Sequence, residues 1–153
     1  LKRRLMPATL DVRVIGGVST GDLPVQQFGI VDGTLSAFSP FGSLRSLRNH
    51  PLEGEQYCAL FWEHNFRTIP FELAGLGWLA GKNIGVILHG AAGRTWISEK
   101  RLAEPEYTPF YQDGWQSEIG LSVNGLFGLF RVDVTRPLER SGVFTGFGVT
   151  RYF

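Results

Sequence analysis

Apolar and polar residues alternate with period two along most of this chain, the pattern of β-strands with two unlike faces. The clearest stretch is the following run: Phe130, Arg131, Val132, Asp133, Val134 and Thr135. Helical spacing fits none of the alternating stretches well. The pattern therefore predicts an all-β chain that folds as an antiparallel, up-and-down sheet of about six long strands. The strands are expected near residues 8–18, 55–67, 83–97, 114–124, 126–136 and 143–153.

The predicted strands are longer than those of most soluble proteins. Most of them cover roughly 9 to 13 residues, whereas a strand in a soluble protein usually has about 5–6. A tilted strand needs about 9–11 residues to cross a lipid bilayer. Strand length, together with aromatic residues near strand ends such as Trp96 and Trp115, favours a segment of a transmembrane β-barrel that spans residues 1–153.

The charged residues of the polar face can be placed in two ways. They are Asp11, Arg13, Glu63, Glu118, Arg131 and Asp133. In a membrane barrel these side chains line the lumen, and the apolar face meets lipid. In a soluble β-sandwich or small barrel they face water, and the apolar face forms the core or binds an apolar ligand. The pattern favours the membrane barrel and leaves the soluble, non-enzymatic protein as the alternative.

The connections between the predicted strands differ in length. Asn124-Gly125 predicts a tight hairpin turn, and residues 98–114 a long charged loop. Residues 19–54 make a far longer connection than is ordinary, so we expect them to be functional, folded back on themselves, or both. This long loop has too many apolar residues for a solvated excursion, namely Phe28, Phe38, Phe41, Leu44 and Leu47. We expect the loop to bury them in the lumen.

Composition excludes several classes of protein. The 15 Lys and Arg residues against 14 Asp and Glu give a net charge of +1, whereas nucleic-acid-binding proteins usually carry a strong basic excess. The single cysteine, Cys58, excludes an internal disulfide framework and a zinc site built from several cysteines. The sequence contains no run of about 18 apolar residues, which a transmembrane helix would require. The basic start, Leu1 to Pro7, lacks a signal-peptide core, and we interpret the chain as the end of a longer protein.

Motifs for catalysis or metal binding are weak in this sequence. His50, His64 and His89 lie far apart, with no Cys or carboxylate at the spacing of metal ligands. The stretch from Gly75 to Ala80 matches a dinucleotide fingerprint by letter but lacks the surrounding βαβ pattern. No Ser or Asp is paired with a His in a recognisable constellation. We therefore expect no enzyme activity, no metal and no cofactor.

The carboxyl-terminal stretch carries a resemblance to outer-membrane barrels. It alternates and ends on an aromatic residue, and its principal residues are Phe147, Val149, Tyr152 and Phe153. This resembles the signal that such barrels present to the outer-membrane assembly machinery. In addition, five predicted strands follow one very long loop, a layout similar to the last third of barrels in the BamA and bacterial surface antigen superfamily.

The segment from Leu47 to Phe66, followed by Ile69-Pro70, is more particular. It is similar to a family of Bacteroidetes outer-membrane proteins in which a carboxypeptidase-regulatory-like domain precedes such a barrel. The resemblance implies a location in the bacterial outer membrane, with the lipid bilayer and the assembly machinery as partners and no nucleic acid. Six strands cannot close a barrel whose known minimum is about eight, so we expect missing amino-terminal strands or other subunits to complete it.

The superfamily resemblance also implies that the long loop folds into the lumen, where a buried Arg near its tip pins it to the barrel wall. Arg45 and Arg48 are the candidates, although neither is followed by the Gly that is usual at the tip. The wall residues expected to hold the loop are Glu63, Glu118 and Asp133, with Arg131 balancing their charge. The implied function is protein insertion or translocation, or a pore plugged by its own loop.

Overall fold

The computed structural model describes residues 7–21, 24, 27–103 and 108–149. Within these residues the chain forms ten strands and three short helices. The strands are β1 (Thr9–Gly17), β2 (Gly29–Val31), β3 (Gly33–Thr34), β4 (Leu44–Arg48), β5 (Leu52–Gly54), β6 (Gln56–Arg67), β7 (Gly85–Trp96), β8 (Gln116–Leu126), β9 (Phe130–Pro137) and β10 (Phe144–Val149). The helices are α1 (Ile69–Leu73), α2 (Gly77–Gly81) and α3 (Glu99–Leu102).

Six of these described strands form one antiparallel sheet, the main sheet, in the order β1-β6-β7-β8-β9-β10. From β6 onward, each strand pairs with the next one along the chain, and β1 pairs with β6 across the long loop. The prediction of an all-β chain with a six-stranded, up-and-down antiparallel sheet is confirmed. Over the described residues the sheet is open, because β1 and β10 do not pair with each other.

The predicted hairpin turn at Asn124-Gly125 is wrong, because β8 continues past it and the turn lies at residues 127–129. β9 therefore starts at Phe130 and not directly after Gly125. Gly125 instead lies where the strand register shifts, with a φ angle of 79°. A Cβ atom there would lie 2.4 Å from the carbonyl oxygen of Asn83. Glycine is needed at this position because the strand has a β-bulge there and another backbone segment approaches closely. The pair Asn124-Gly125 therefore forms a bulge where a hairpin turn was expected.

The long loop is folded over one face of the main sheet. In its described part, β2 pairs with β5 in antiparallel orientation and β3 pairs with β4 in parallel orientation. One hydrophobic core lies between the loop and the main sheet. It consists of Val31, Leu44, Leu47 and Leu52 from the loop, and Ala59, Phe61 and Ala91 from β6 and β7. Phe28 is also buried and Phe41 packs half-buried against this core, whereas Phe38 remains 39% exposed. The apolar residues of the loop thus fasten it to the sheet.

The two faces of the main sheet differ sharply in burial. The face under the loop carries polar residues that are almost fully buried: Glu63, His89, Glu118, Ser122, Arg131, Asp133 and Thr135. The opposite face, which we call the apolar face, has residues that stay about half exposed: Leu60, Ile119, Leu121, Val132, Val134, Phe147 and Val149. In a soluble antiparallel sheet the apolar face is the buried one. Asp11 and Arg13 of β1 are exposed, unlike the charged residues of the central strands.

The connections lie at two ends of the main sheet, as antiparallel pairing requires. The long loop and residues 97–115 and 138–143 lie at one end, the loop end. Helices α1 and α2 and the turn at 127–129 lie at the other, the turn end. Among the described residues, no helix combines the length and the apolar character needed to cross a membrane.

Candidate functional site beneath the long loop

Arg45 connects the long loop to the main sheet. It lies in β4 between Leu44 and Leu47, whose side chains are buried in the core under the loop. Its Nη2 atom donates a hydrogen bond to Oε1 of Glu63 on β6 at 2.5 Å, and both side chains are more than nine-tenths buried. Because apolar packing fixes the strand on either side, Arg45 is held in place against the carboxylate. Charge-assisted bonds of this kind are strong when water is excluded.

Arg131 on β9 binds the same carboxylate from the other side. Its Nη1 and Nη2 atoms donate to the two oxygens of Glu63 at 2.8 Å each, a bidentate geometry that suits the planar guanidinium. Its Nε atom donates to Oδ1 of Asp133 at 2.7 Å. Glu63 therefore accepts hydrogen bonds from two guanidiniums, one from the loop and one from the main sheet.

Glu118 on β8 holds the backbone of the loop. Its two carboxylate oxygens accept hydrogen bonds from the backbone N–H groups of Arg45 and Ser46, each at 2.8 Å. Of the three acids expected to hold the loop, Glu63 binds the Arg45 side chain, Glu118 binds the β4 backbone, and Asp133 binds Arg131. The main sheet thus contacts both the side chain and the main chain of the loop strand β4.

A cluster of four side chains adjoins these ion pairs: the expected site residue Asp133 with His89, Ser122 and Thr135. That these four side chains meet was not predicted from the sequence. Ser122 Oγ donates to Asp133 Oδ1 at 2.5 Å and lies 2.9 Å from His89 Nδ1, while His89 Nε2 lies 3.0 Å from Thr135 Oγ1. Cross-strand pairing of Ser122 with Asp133 was the signal that could have revealed it, but that pairing depends on the strand register.

The geometry of this cluster is structural and does not resemble a nucleophile with its base. The hydroxyl of Ser122 has one hydrogen, and it donates that hydrogen to the carboxylate of Asp133. The contact between Ser122 and His89 is therefore a hydrogen bond only if Nδ1 of His89 carries the proton and donates it to Ser122. A base that already holds the proton cannot take one from the serine. Arg131 Nη2 also donates to Ser122 Oγ at 2.9 Å, and Ser122 is 1% exposed. The cluster therefore links three strands of the sheet by hydrogen bonds between buried polar side chains.

The buried charge network, as we call Arg45, Glu63, Glu118, Arg131 and Asp133, contains two guanidiniums and three carboxylates. Among the described residues, Oδ2 of Asp133 and Nε of Arg45 have no hydrogen-bond partner. Removing one partner of a buried ion pair typically costs about 3–5 kcal/mol, because the other charge is left uncompensated. The network therefore couples the loop to three strands of the main sheet, β6, β8 and β9.

Arg48 lies outside the buried charge network, at the β10 edge of the sheet. Its Nη2 atom donates to the backbone oxygen of Thr145, and its guanidinium stands 5.7 Å from the centroid of the Phe144 ring. Arg140 stands over the same ring at 5.2 Å and donates to the backbone oxygen of Ser46 at 2.5 Å. Arg48 therefore contacts β10, whereas Arg45 occupies the buried position.

A short segment of the long loop, residues 37–39, covers the edge of β10. The backbone N–H of Phe147 donates to the oxygen of Ala37, and the N–H of Ser39 donates to the oxygen of Phe147, each at 2.8 Å. The rings of Phe38 and Phe147 meet edge to face with centroids 5.9 Å apart.

Phe147 and Val149 of the expected assembly signal lie on the apolar face. Tyr152 and Phe153 lie outside the described residues.

The three histidines, which a metal site could have used as ligands, lie apart from one another in the described structure. His50 contacts Phe110 at 5.1 Å between ring centroids, and His64 stacks on Phe66 at 4.2 Å. Over the described ranges, no group of three or more His, Cys, Asp or Glu side chains could hold a metal ion.

No family model matches the chain, and no curated protein or solved structure gives a significant match.

Proposed function

We propose that this chain is the membrane-embedded, carboxyl-terminal part of a bacterial outer-membrane protein, a segment of β-barrel whose lumen is plugged by the long loop. The observation that carries the proposal is the reversed burial of the main sheet. Charged side chains such as Glu63 and Asp133 are buried, while apolar ones such as Leu121 and Val132 are open on the other face. A lipid bilayer is the environment in which this arrangement is favourable.

The dimensions of the main sheet support the proposal. β6 and β7 have 12 residues each. At about 3.3 Å per residue such a strand is about 40 Å long, and a tilt of roughly 40° reduces its height to about 30 Å. The hydrocarbon core of a bilayer is also about 30 Å thick. The central strands are therefore long enough to cross it.

Aromatic side chains near both ends of the apolar face are a second support. At the loop end, the rings of Trp96 and Trp115 meet edge to face with centroids 6.5 Å apart. At the turn end, the stacked pair of His64 and Phe66 lies on the same face, and Phe127 is 96% exposed. Amphipathic and aromatic rings are favoured at the two bilayer interfaces, so the apolar face has the expected borders of a lipid-facing band.

Completion of the barrel requires partners for the open edges of the main sheet. Unpaired backbone groups cost several kcal/mol each in lipid, so β1, and the part of the β10 edge that segment 37–39 does not cover, must pair with further strands in the membrane. We propose that these strands come from the same protein or from other subunits. The outer-membrane assembly machinery would read the carboxyl-terminal stretch that contains Phe147 and Val149.

Among the roles open to such a barrel, the buried loop favours a plugged pore. The plug is fixed by an apolar core and by the buried charge network, so opening requires both to be released. Protein insertion or translocation, which the BamA-like resemblance implies, would require the same release. The proposal includes no catalytic step, because the proton arrangement in the His89 and Ser122 pair opposes one.

Extraction tests the membrane location. The full-length protein, produced in a Gram-negative host, is expected to stay in the outer-membrane fraction after a high-pH wash and to need detergent for solubility. A soluble β-protein that shields its apolar face would leave the membrane in the wash. Stable, monomeric protein without detergent would therefore contradict the proposal and favour the soluble alternative.

Surface labelling tests the orientation. Replacing Cys58 with Ala removes the chain's one cysteine, after which Gln112→Cys at the loop end and Ala74→Cys at the turn end supply single labels. Long loops of outer-membrane barrels face the exterior. A membrane-impermeant maleimide should label Gln112→Cys on intact cells and Ala74→Cys only after the outer membrane is permeabilised. The reverse pattern would contradict the proposed topology.

A further inference from the structure

A cleft opens on the apolar face at the loop end, away from the buried charge network. It has a volume of about 480 Å³ and is lined by Ile119 and by residues 136–141. Ile119 and Leu138, which are 42% and 63% exposed, give it an apolar floor. Arg136 is the cross-strand partner of Ile119, so a guanidinium stands directly beside this floor. The cleft therefore combines an apolar surface with a cation at the end of the membrane-facing band.

The side chain of Arg136 makes no hydrogen bond or ion pair with any of the described residues, and it is exposed. The carboxylate in the cleft, that of Glu139, accepts a hydrogen bond from the backbone N–H of Ser117 at 2.8 Å. Arg140 adds a second guanidinium, which the backbone oxygen of Ser46 and the Phe144 ring hold in place. The positive charge of Arg136 thus remains available to a ligand.

We infer that this cleft binds the headgroup of an anionic, phosphate-bearing membrane lipid, with Arg136 as its principal contact. The inference rests on the proposed membrane location. An acyl chain would lie along the apolar face over Ile119 and Val134, both of which are about half exposed, and would bring its phosphate to the loop end. A guanidinium matches phosphate oxygens with paired, charge-assisted hydrogen bonds.

Charge explains why an anionic lipid is preferred over a zwitterionic one. Both kinds carry a phosphate, but the ammonium group of phosphatidylcholine compensates its charge within the headgroup. The local balance of Arg136 and Arg140 against Glu139 is positive, which complements a net negative headgroup. One Lys or Arg near an anionic bilayer surface contributes about 1 kcal/mol, which corresponds to about a fivefold preference.

The test measures which lipids the full-length protein retains. The purified protein is placed in nanodiscs that contain equal amounts of phosphatidylglycerol and phosphatidylcholine with the same acyl chains, and its retained lipids are identified by native mass spectrometry. We expect the intact protein to retain phosphatidylglycerol preferentially. Arg136→Gln should lower the ratio of the two lipids about fivefold, and Arg136→Lys should restore much of it. Arg13→Gln, the same change at an exposed residue on the opposite side of the sheet, should leave the ratio unchanged.

Three outcomes would overturn the inference. Equal retention of both lipids by the intact protein, or an equal loss of preference in the Arg136→Gln and Arg13→Gln variants, would show that the cleft selects no headgroup. Suppression of the preference by millimolar inorganic phosphate without any change in total retained lipid would assign the cleft to a free anion. Any of these results would leave the membrane location standing if the protein still requires detergent, so the two proposals fail separately.

Discussion

Arg45 of the long loop and Glu63 of β6 form an ion pair of 2.5 Å that is more than nine-tenths buried. Glu63 is also held by Arg131, so its carboxylate is shared between the loop and the wall. A shared acid makes the two guanidiniums interdependent, because each reduces the charge that the other must neutralise. The loop is thereby fixed to the wall by electrostatics as well as by its apolar core.

The first prediction concerns this pair. Arg45→Ala should lower the free energy of unfolding by roughly 3–5 kcal/mol, because it leaves an excess of buried carboxylate beneath the loop. Adding Glu63→Gln should cost less in the Arg45→Ala background than in the intact protein, because it then removes a partner from Arg131 alone and no longer from both guanidiniums. A double-mutant cycle by denaturant unfolding in a reconstituted bilayer measures the coupling, which should reach about 0.5–3 kcal/mol.

Arg48→Ala is the matched control for Arg45→Ala. It removes the same side chain from the same strand, but Arg48 contacts the Thr145 backbone and the Phe144 ring at the edge of the sheet. We expect a loss of only about 1 kcal/mol and no coupling to Glu63. Strictly additive effects for both arginines against Glu63, Glu118 and Asp133 would contradict the plugged-lumen model.

The second prediction concerns Glu118, which accepts from two backbone N–H groups of the loop. Glu118→Gln replaces one acceptor oxygen with an amide that cannot accept, so the N–H of Arg45 or Ser46 loses its partner. We expect the long loop to become more accessible to protease and its amides to exchange faster, with a loss of roughly 1–3 kcal/mol. Glu139→Gln is the control, since Glu139 is exposed and accepts from Ser117 outside the loop. Equal exchange in both variants would refute the anchoring role of Glu118.

The faces of the main sheet could be predicted from the sequence because alternation follows from strand geometry alone. Val132 and Asp133 are adjacent in the chain and must lie on opposite faces of any strand. The bulge at Gly125 and the later turn at 127–129 could not be predicted, because Asn124-Gly125 fits a hairpin turn as well as a bulge with a close approach to Asn83. Local sequence does not distinguish these two uses of a positive φ angle.

The composition of the site was predictable, but its pairing was not. Glu63, Glu118 and Asp133 all face the loop, so alternation identifies them without selecting the partner of Arg45. That choice depends on where β4 lies on the sheet, where its backbone approaches β7, β8 and β9. The small pairs β2–β5 and β3–β4 hold the loop around it. These loop strands have between two and five residues, too few for alternation to be recognised.

The third prediction concerns the apolar face. Leu121 lies in the middle of β8, opposite Leu88 and Val134, and is 49% exposed. Leu121→Arg should reduce the free energy of unfolding in a bilayer by roughly 2–4 kcal/mol, because a charge near the bilayer midplane must be desolvated. Asp11→Arg is the control, since Asp11 is already charged and exposed on the other face of β1. Similar losses in the two variants would favour a sheet that does not face lipid.

The last prediction concerns the segment 37–39 that covers the β10 edge. A Cβ atom on Gly146 would lie 2.3 Å from Ser39 Oγ and 3.1 Å from the oxygen of Ala37, so Gly146→Val should push the segment off the edge. Both hydrogen bonds to Phe147 would then be lost, and faster amide exchange at Ser39 should report it. Gly77→Ala is the control, because a Cβ there meets nothing within 4 Å. Unchanged exchange at Ser39 in Gly146→Val would mean that the segment tolerates the added side chain and that β10 does not depend on glycine to be covered.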